Sequence, residues 1–205
     1  VYAVIGGLYS SDASILATQL TRAGKTFFTL ATSEELVRAF ASTGYLWALT
    51  ETDITQCEVL LSKVVNYGGK SVALIAKEND IYGKTFLDWF AFQAKELGLE
   101  NRGTFAYDAS TLDNVAREAL QSGADYLLCV PSEIDEIAPM LRTYAIRPRT
   151  GGAAPRLLFS DTAYGTDVLT TYGQGAEGLE GVAFGADPES GFDVSYSAFF
   201  GISPT

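Results

Sequence analysis

Two short segments, Ser71–Ala76 and Tyr126–Val130, run as nearly unbroken apolar stretches. A strand with one face in water alternates apolar and polar residues, so continuous runs of this kind require cover on both faces of a sheet. The segments between them supply that cover. Tyr82–Leu97 places Phe86, Trp89, Phe90, Ala94 and Leu97 at three- and four-residue spacings, with Lys84, Asp88, Lys95 and Glu96 off the stripe and Gly98 as a stop. Leu112–Gln121 buries Val115, Ala116, Ala119 and Leu120, and Gly123 ends it. The same alternation continues in both directions. Strands are expected at Tyr2–Ile5, Thr26–Leu30, Tyr45–Leu49, Gly103–Tyr107, Arg156–Ser160 and Gly181–Phe184. Helices are expected at Ser11–Arg22, Ser33–Ala41, Ile54–Asn66, Glu133–Tyr144, Ala163–Thr171 and Phe192–Phe200. Strand–helix alternation along a whole chain reads as a doubly wound parallel α/β architecture.

Three segments break the rhythm. Arg147–Pro155 is a Pro/Gly-rich surface loop, Gly185–Gly191 is extended and able to connect two lobes, and Thr50–Asp53 separates a strand from a helix with Asp53 as its N-cap. No tandem repeat exceeds the βα unit itself.

Composition then removes whole classes of function. With 14 Lys and Arg against 25 Asp and Glu, the net charge of −11 offers no basic stripe for a nucleic acid. The 205 residues include no histidine, which excludes Ser-His-Asp and Cys-His catalysis and imidazole metal sites, and no GxSxG elbow is present. Cys57 and Cys129 lack CxxC spacing and are expected as two buried thiols. No apolar run is long enough to span a bilayer. Val1 stands where an initiating Met would, which leaves room for a removed leader.

Ligands of open parallel sheets bind beyond the carboxyl ends of the strands. The loop Gly6–Asp12 offers the hydroxyls and N–H groups of Ser10 and Ser11 at a helix start, either as an anion site or as a plain cap by Ser11 or Asp12. Thr32 or Ser33 followed by Glu34 and Glu35 has the form of a capping box. Tyr82, after Asn79-Asp80-Ile81, is a core staple or a ring over a ligand. Pro131-Ser132-Glu133 opens another helix, and Asp161 is an N-cap or the partner of a ligand ammonium. Small hydroxyls, carboxylates and tyrosines without a nucleophile–base pair bind a small polar molecule rather than transform it.

Three ordered segments carry a resemblance: Val4-Ile5-Gly6-Gly7-Leu8-Tyr9-Ser10-Ser11, then Phe27 through Leu36, then Lys70 through Ile75 with Ile81-Tyr82-Gly83-Lys84. Later matches are Ser122 through Leu127, Gly178 through Val182, and Phe192, Tyr196, Phe200-Gly201 and Pro204. Together they resemble the type I periplasmic binding proteins of the branched-chain amino-acid class, which includes receptor ligand-binding domains. The resemblance implies two α/β lobes closing over a ligand, with the first lobe taking residues 1–50 and 186–205 and the second 51–185. It implies that the family's opening and closing elements lie outside this sequence, leaving the first lobe incomplete. By the same resemblance Ser10 and Thr32 hold the carboxylate and ammonium of an amino acid, helped by the Leu30 backbone. Tyr82 covers the ligand from the opposite lobe, Asp161 pairs with its ammonium, and Ser132 and Glu133 line the remaining rim. Ala48 stands where the family carries an arginine.

The function expected is therefore non-catalytic binding of an amino acid or related carboxylate for uptake or sensing, with no cofactor. The expected location is the periplasm or cell envelope, with a lipid anchor possible in principle for this family. Expected partners are the small-molecule ligand, a membrane transporter or signalling protein, and a second copy in a homodimer. The alternative is a binding-protein-like domain serving protein–protein contact in the envelope.

Overall fold

The computed structural model describes residues 1–146, 154–185 and 190–203. Its strands form two separate parallel sheets. The first contains β1 (Ala3–Gly6), β2 (Thr26–Thr29) and β3 (Leu46–Ala48) in that spatial order. Helices α1 (Ser10–Arg22) and α2 (Glu34–Phe40) connect them. One face of this sheet is packed: Phe27 and Leu46 meet Ala13, Ala17 and Leu36 from the two helices. On the other face Ile5, Phe28 and Trp47 stand in register across the three strands, with Ile5 and Trp47 exposed.

The second sheet has the order β5-β4-β6-β7, formed by β4 (Ser71–Lys77), β5 (Glu100–Tyr107), β6 (Tyr126–Val130) and β7 (Arg156–Phe159). Strand periodicity divides its side chains between two cores. Val72, Leu74 and Ala76 with Tyr126, Leu128 and Val130 pack against α3 (Asp53–Asn66) and α4 (Ile81–Glu96). Ala73 and Ile75 with Leu127 and Cys129 face α5 (Leu112–Leu120), α6 (Ile137–Ile146) and α7 (Thr166–Tyr172). Both β4 and β6 are buried on both faces, as their unbroken apolar runs require. The two cysteines are free and buried, one in each core.

Several expectations need correction. The strand expected at Gly181–Phe184 is a single bridge between Gly181 and Phe159. A Cβ on Gly181 would lie 2.2 Å from the Phe159 carbonyl oxygen, so the approach depends on glycine. Trp89 is part-exposed, against Phe92, rather than buried with Phe86, Phe90 and Ala94. It stands about 60° round the helix from Phe86, at the margin of the apolar stripe. β5 begins at Glu100, three residues early, because a bulge at Gly103 shifts its register with β4 and lets pairing continue. The helices expected at Glu133–Tyr144 and Ala163–Thr171 each open with a 3-10 turn, at Ile134–Glu136 and Asp161–Ala163, ahead of α6 and α7. Residues 147–153 of the expected Pro/Gly-rich loop, 186–189 of the expected connection, and Pro204 lie outside the described residues. The last helix, α8 (Phe192–Phe200), stacks Phe192, Tyr196 and Phe200 along one side and buries no residue.

Candidate functional site

The second sheet reverses winding direction between β4 and β6, and crevices at such points are where parallel sheets bind ligands. The loops leaving these strands are tied together there. Asp80, the N-cap of α4, accepts hydrogen bonds from the Tyr82 and Gly83 N–H groups at 2.9 and 3.2 Å. It also accepts the Ser132 hydroxyl at 2.9 Å. Tyr82, in the first turn of α4, packs edge-on against Phe86 with ring centroids 5.2 Å apart and donates its hydroxyl to Asp161 Oδ1 at 2.6 Å. This tyrosine is therefore a core staple whose polar end reaches the crevice. Gln56 on α3 accepts the Asp161 N–H at 2.8 Å, fixing the turn that presents the carboxylate.

Facing these loops, α1 of the first sheet begins with Ser10. Tyr9 occupies its N-cap position without a side-chain bond, so neither Ser11 nor Asp12 serves as the cap. Ser33 caps α2 through the Leu36 N–H at 3.3 Å; with Leu36 rather than an acid at that position the expected capping box does not form, and Thr32 is left to the crevice.

One cavity of about 350 Å³ lies between the two sets of loops. Ser10, Ser11, Thr32, Tyr82, Ser132 and Asp161 all line it. Leu30 does not; its backbone bonds to Gly6 and to the Thr50 hydroxyl, and its side chain is part-exposed. Glu133 does not either: it closes a capping box with Glu136 and reaches toward Lys77 at 3.8 Å. The lining also includes Leu8, Tyr9, Ile134, Tyr164, Asp167 and Phe184, which the sequence did not single out. Tyr9 and Ile134 sit next to expected site residues, so adjacency was the available signal. Asp167 and Phe184 depend on how α7 and the chain after β7 fold back over the rim.

The electrostatics of the cavity have one sign. Asp80, Asp161 and Asp167 line it, and no lysine or arginine does among the described residues. Burial raises the Asp161 carboxyl above its ordinary value, while the Tyr82 and Gln56 hydrogen bonds pull it back. Burial and the adjacent Asp161 push the Tyr82 phenol well above its own, so it remains a donor. Ser10 and Thr32 are more than nine-tenths buried, and neither side chain makes a hydrogen bond among the described residues. No group of His, Cys, Asp and Glu side chains suited to a metal ion occurs among the described residues.

Two parallel α/β units that enclose a polar, ligand-sized cavity between their strand ends define a two-lobed binding fold. Comparison with known proteins agrees. Residues 1–193 match the family profile described as periplasmic binding protein, and the chain belongs to that family, in its type I form. No curated protein matches the sequence. The leucine binding protein LivK of Thermotoga maritima superimposes with a TM-score of 0.77 at 17% identity, over 100% of this chain and 59% of that one. An ABC transporter substrate binding protein of Aeropyrum pernix gives 0.70 at 21% identity, over 99% and 54%. A solute binding protein of R. palustris, solved in complex with 4-hydroxybenzoate, gives 0.65 at 16% identity, over 78% and 43%. At these identities the likeness is one of fold, and the chain spans little more than half the length of the first two.

Proposed function

We propose that this chain binds a small polar solute, an α-amino acid or related carboxylate, in the cavity between its sheets and does not transform it. The supporting observation is the pair Ser10 and Thr32, whose hydroxyls line the cavity without a protein hydrogen-bond partner among the described residues. Hydroxyls left free by the fold at the wall of a cavity are available to a ligand's polar groups. Acceptors on a ligand carboxylate would take these hydroxyls and the Ser11 end of α1. Asp161, fixed by Gln56 and Tyr82, would take an ammonium. With three carboxylates and no cation in the lining, a zwitterion is favoured over a dicarboxylate.

Residues 1–50 and 186–205 would form one lobe and 51–185 the other, closing by hinge motion because a ligand touching both rims favours the closed state. Delivery to a membrane transporter or signalling partner, from the periplasm or a lipid-anchored position in the envelope, completes the reading. Calorimetric titration with L-leucine, other amino acids and small carboxylates tests it. Thr32→Ala and Asp161→Ala should each weaken binding about tenfold or more, since hydrogen bonds to charged groups contribute roughly 1.5–3 kcal/mol. Unchanged affinity in both variants would overturn the site, and a flat screen across all solutes would overturn solute binding.

A further inference from the structure

Asp53, expected as the N-cap of a helix, is completely buried. It occupies the first turn of α3 instead, with Thr52 at the cap position. Its bonds leave its own helix. The Asp53 N–H donates to the Thr32 carbonyl at 2.9 Å, and Asp53 Oδ1 accepts the Glu34 N–H at 3.1 Å. A helix of the second sheet thus caps α2 of the first. Ser33, between the two, donates its hydroxyl to the Ile81 carbonyl on α4 at 3.2 Å. Three hydrogen bonds therefore hold the turn at residues 32–34 against α3 and α4, and that turn carries Thr32 into the cavity.

We infer that Asp53 is a positioning residue for the solute site: it fastens the Thr32 turn of the first sheet to α3, and so sets where the Thr32 hydroxyl stands. The ligand half of this inference rests on the function proposed above; the fastening does not.

The surroundings of Asp53 make the fastening responsive to pH. Its Oδ2 has no hydrogen-bond partner, and the residue forms no ion pair among the described residues. Around it stand Thr85 on α4, Cys57 on its own helix, Asp161 from the turn after β7, and Glu34 on α2, whose carboxylate pairs with Arg38 at 3.8 Å. Burial pushes the Asp53 carboxyl up to about 7, with Asp161 adding to the rise and the Glu34 N–H opposing it. Opening the turn would return this carboxyl to water and to its ordinary lower pKa, so ionisation favours opening and loosens the hold on Glu34.

Hydrogen exchange on the whole chain between pH 5.5 and 8.5, corrected for the intrinsic rate, reads the fastening directly at the Glu34 amide. In the native sequence its protection should fall about tenfold or more as pH rises through neutral, because an opening that solvates Asp53 is favoured by its ionisation. Asp53→Asn keeps an acceptor but no titration, and should hold the low-pH protection at every pH. Asp53→Ala should lose protection at Glu34 throughout, with the amides of Leu74 and Leu128 unaffected. If Asp53→Ala does not fold, the asparagine variant decides. An identical pH profile for the native and asparagine proteins overturns the inference, as does retained Glu34 protection in the alanine variant. Titration with L-leucine reads the ligand half. Affinity should follow the same native-minus-asparagine difference, in which Asp161 titration cancels. Binding that ignores this difference while Glu34 protection follows it overturns positioning. If neither L-leucine nor any other solute of the screen binds, it is the proposed function that fails, and the exchange result still decides the role of Asp53.

Discussion

Removal of the Glu136 carboxylate should be among the most damaging single changes this chain can suffer. Glu136 closes the 3-10 turn ahead of α6 and is nine-tenths buried. Four donors converge on it: Lys77 Nζ at 2.8 Å, the Tyr107 hydroxyl at 2.7 Å, and the Ser132 and Glu133 N–H groups at 2.7 and 3.3 Å. Lys77 ends β4, Tyr107 ends β5 and Ser132 follows β6, so one carboxylate ties together three strand ends beneath the cavity. Burial lowers the Lys77 pKa and Glu136 more than restores it, leaving it above its ordinary value. Glu136→Ala would leave that ammonium with only the exposed Glu133 carboxylate as an ion-pair partner, 3.8 Å away, and the fully buried Tyr107 hydroxyl with only the Val130 carbonyl, 3.5 Å away. Breaking a buried pair from one side costs about 3–5 kcal/mol. In a chain of this size that corresponds to a fall in Tm of roughly 6–20 °C, at about 2–4 °C per kcal/mol. Urea unfolding and calorimetry measure it. The control is Glu136→Leu combined with Lys77→Met, which removes both charges and should recover much of the loss, because the desolvation penalty disappears with them. A single-variant loss under about 1 kcal/mol, or a double variant no more stable than Glu136→Ala, would refute the assignment.

Other perturbations separate electrostatics from packing. Asp53 has a folded-state pKa of about 7 against an ordinary 3.8, so below about pH 4 both states hold the proton and its stabilising effect is complete. Between those values only the folded state holds it, so stability falls by about 4 kcal/mol as pH rises to 7 and is level above; native-minus-Asp53→Asn urea stabilities at pH 4.5 and 8 should differ by about 3 kcal/mol, the share of that fall above pH 4.5. Gly83→Ala would place a Cβ 2.3 Å from the Lys77 carbonyl oxygen, forcing α4 off β4. The expected loss is about 1–3 kcal/mol by thermal circular dichroism, and an unchanged Tm would show that α4 shifts freely. Burial pushes the Cys57 thiol up to about 12 and raises Cys129 as well, so neither should react with an aromatic disulfide reagent until denaturant is added. Rapid labelling of the native chain would contradict both placements.

What the sequence revealed about this fold is what periodicity can carry. The runs at Ser71–Ala76 and Tyr126–Val130 require two covered faces, and β4 and β6 do divide their side chains between two cores. Local capping was equally legible at Ser33, whose partner is three residues away. The helix pattern misjudged Trp89 because a spacing places a residue near a stripe without showing how wide the stripe is. It missed the role of Asp53 because the N–H that Asp53 caps belongs to Glu34, nineteen residues earlier and on another helix. Glu136 was passed over for the same reason: its donors come from three segments that meet only once the sheet has formed. Of the expected site residues, Ser10, Ser11, Thr32, Tyr82, Ser132 and Asp161 reached the cavity, since every βα loop of a parallel sheet opens on the same side. Leu30 and Glu133 did not, because strand-end backbone and a capping carboxylate were already engaged locally.

The first turn of α4 joins the two sheets and the cavity in consecutive residues. Ile81 packs into the core of the first sheet, and its carbonyl accepts the Ser33 hydroxyl. Tyr82, the next residue, is buried in the core of the second sheet and sends its hydroxyl to Asp161 at the cavity. Asp80, just before them, caps the helix and holds Ser132. A rigid helix turn allows no independent adjustment of neighbouring residues, since their directions are fixed about 100° apart. Any rotation of the first sheet that displaces Ile81 must therefore move the Tyr82 hydroxyl relative to Asp161, or break the Ser33–Ile81 bond. The geometry couples sheet orientation to the shape of the cavity through one turn of helix, which is the property a binding protein that closes on its solute requires.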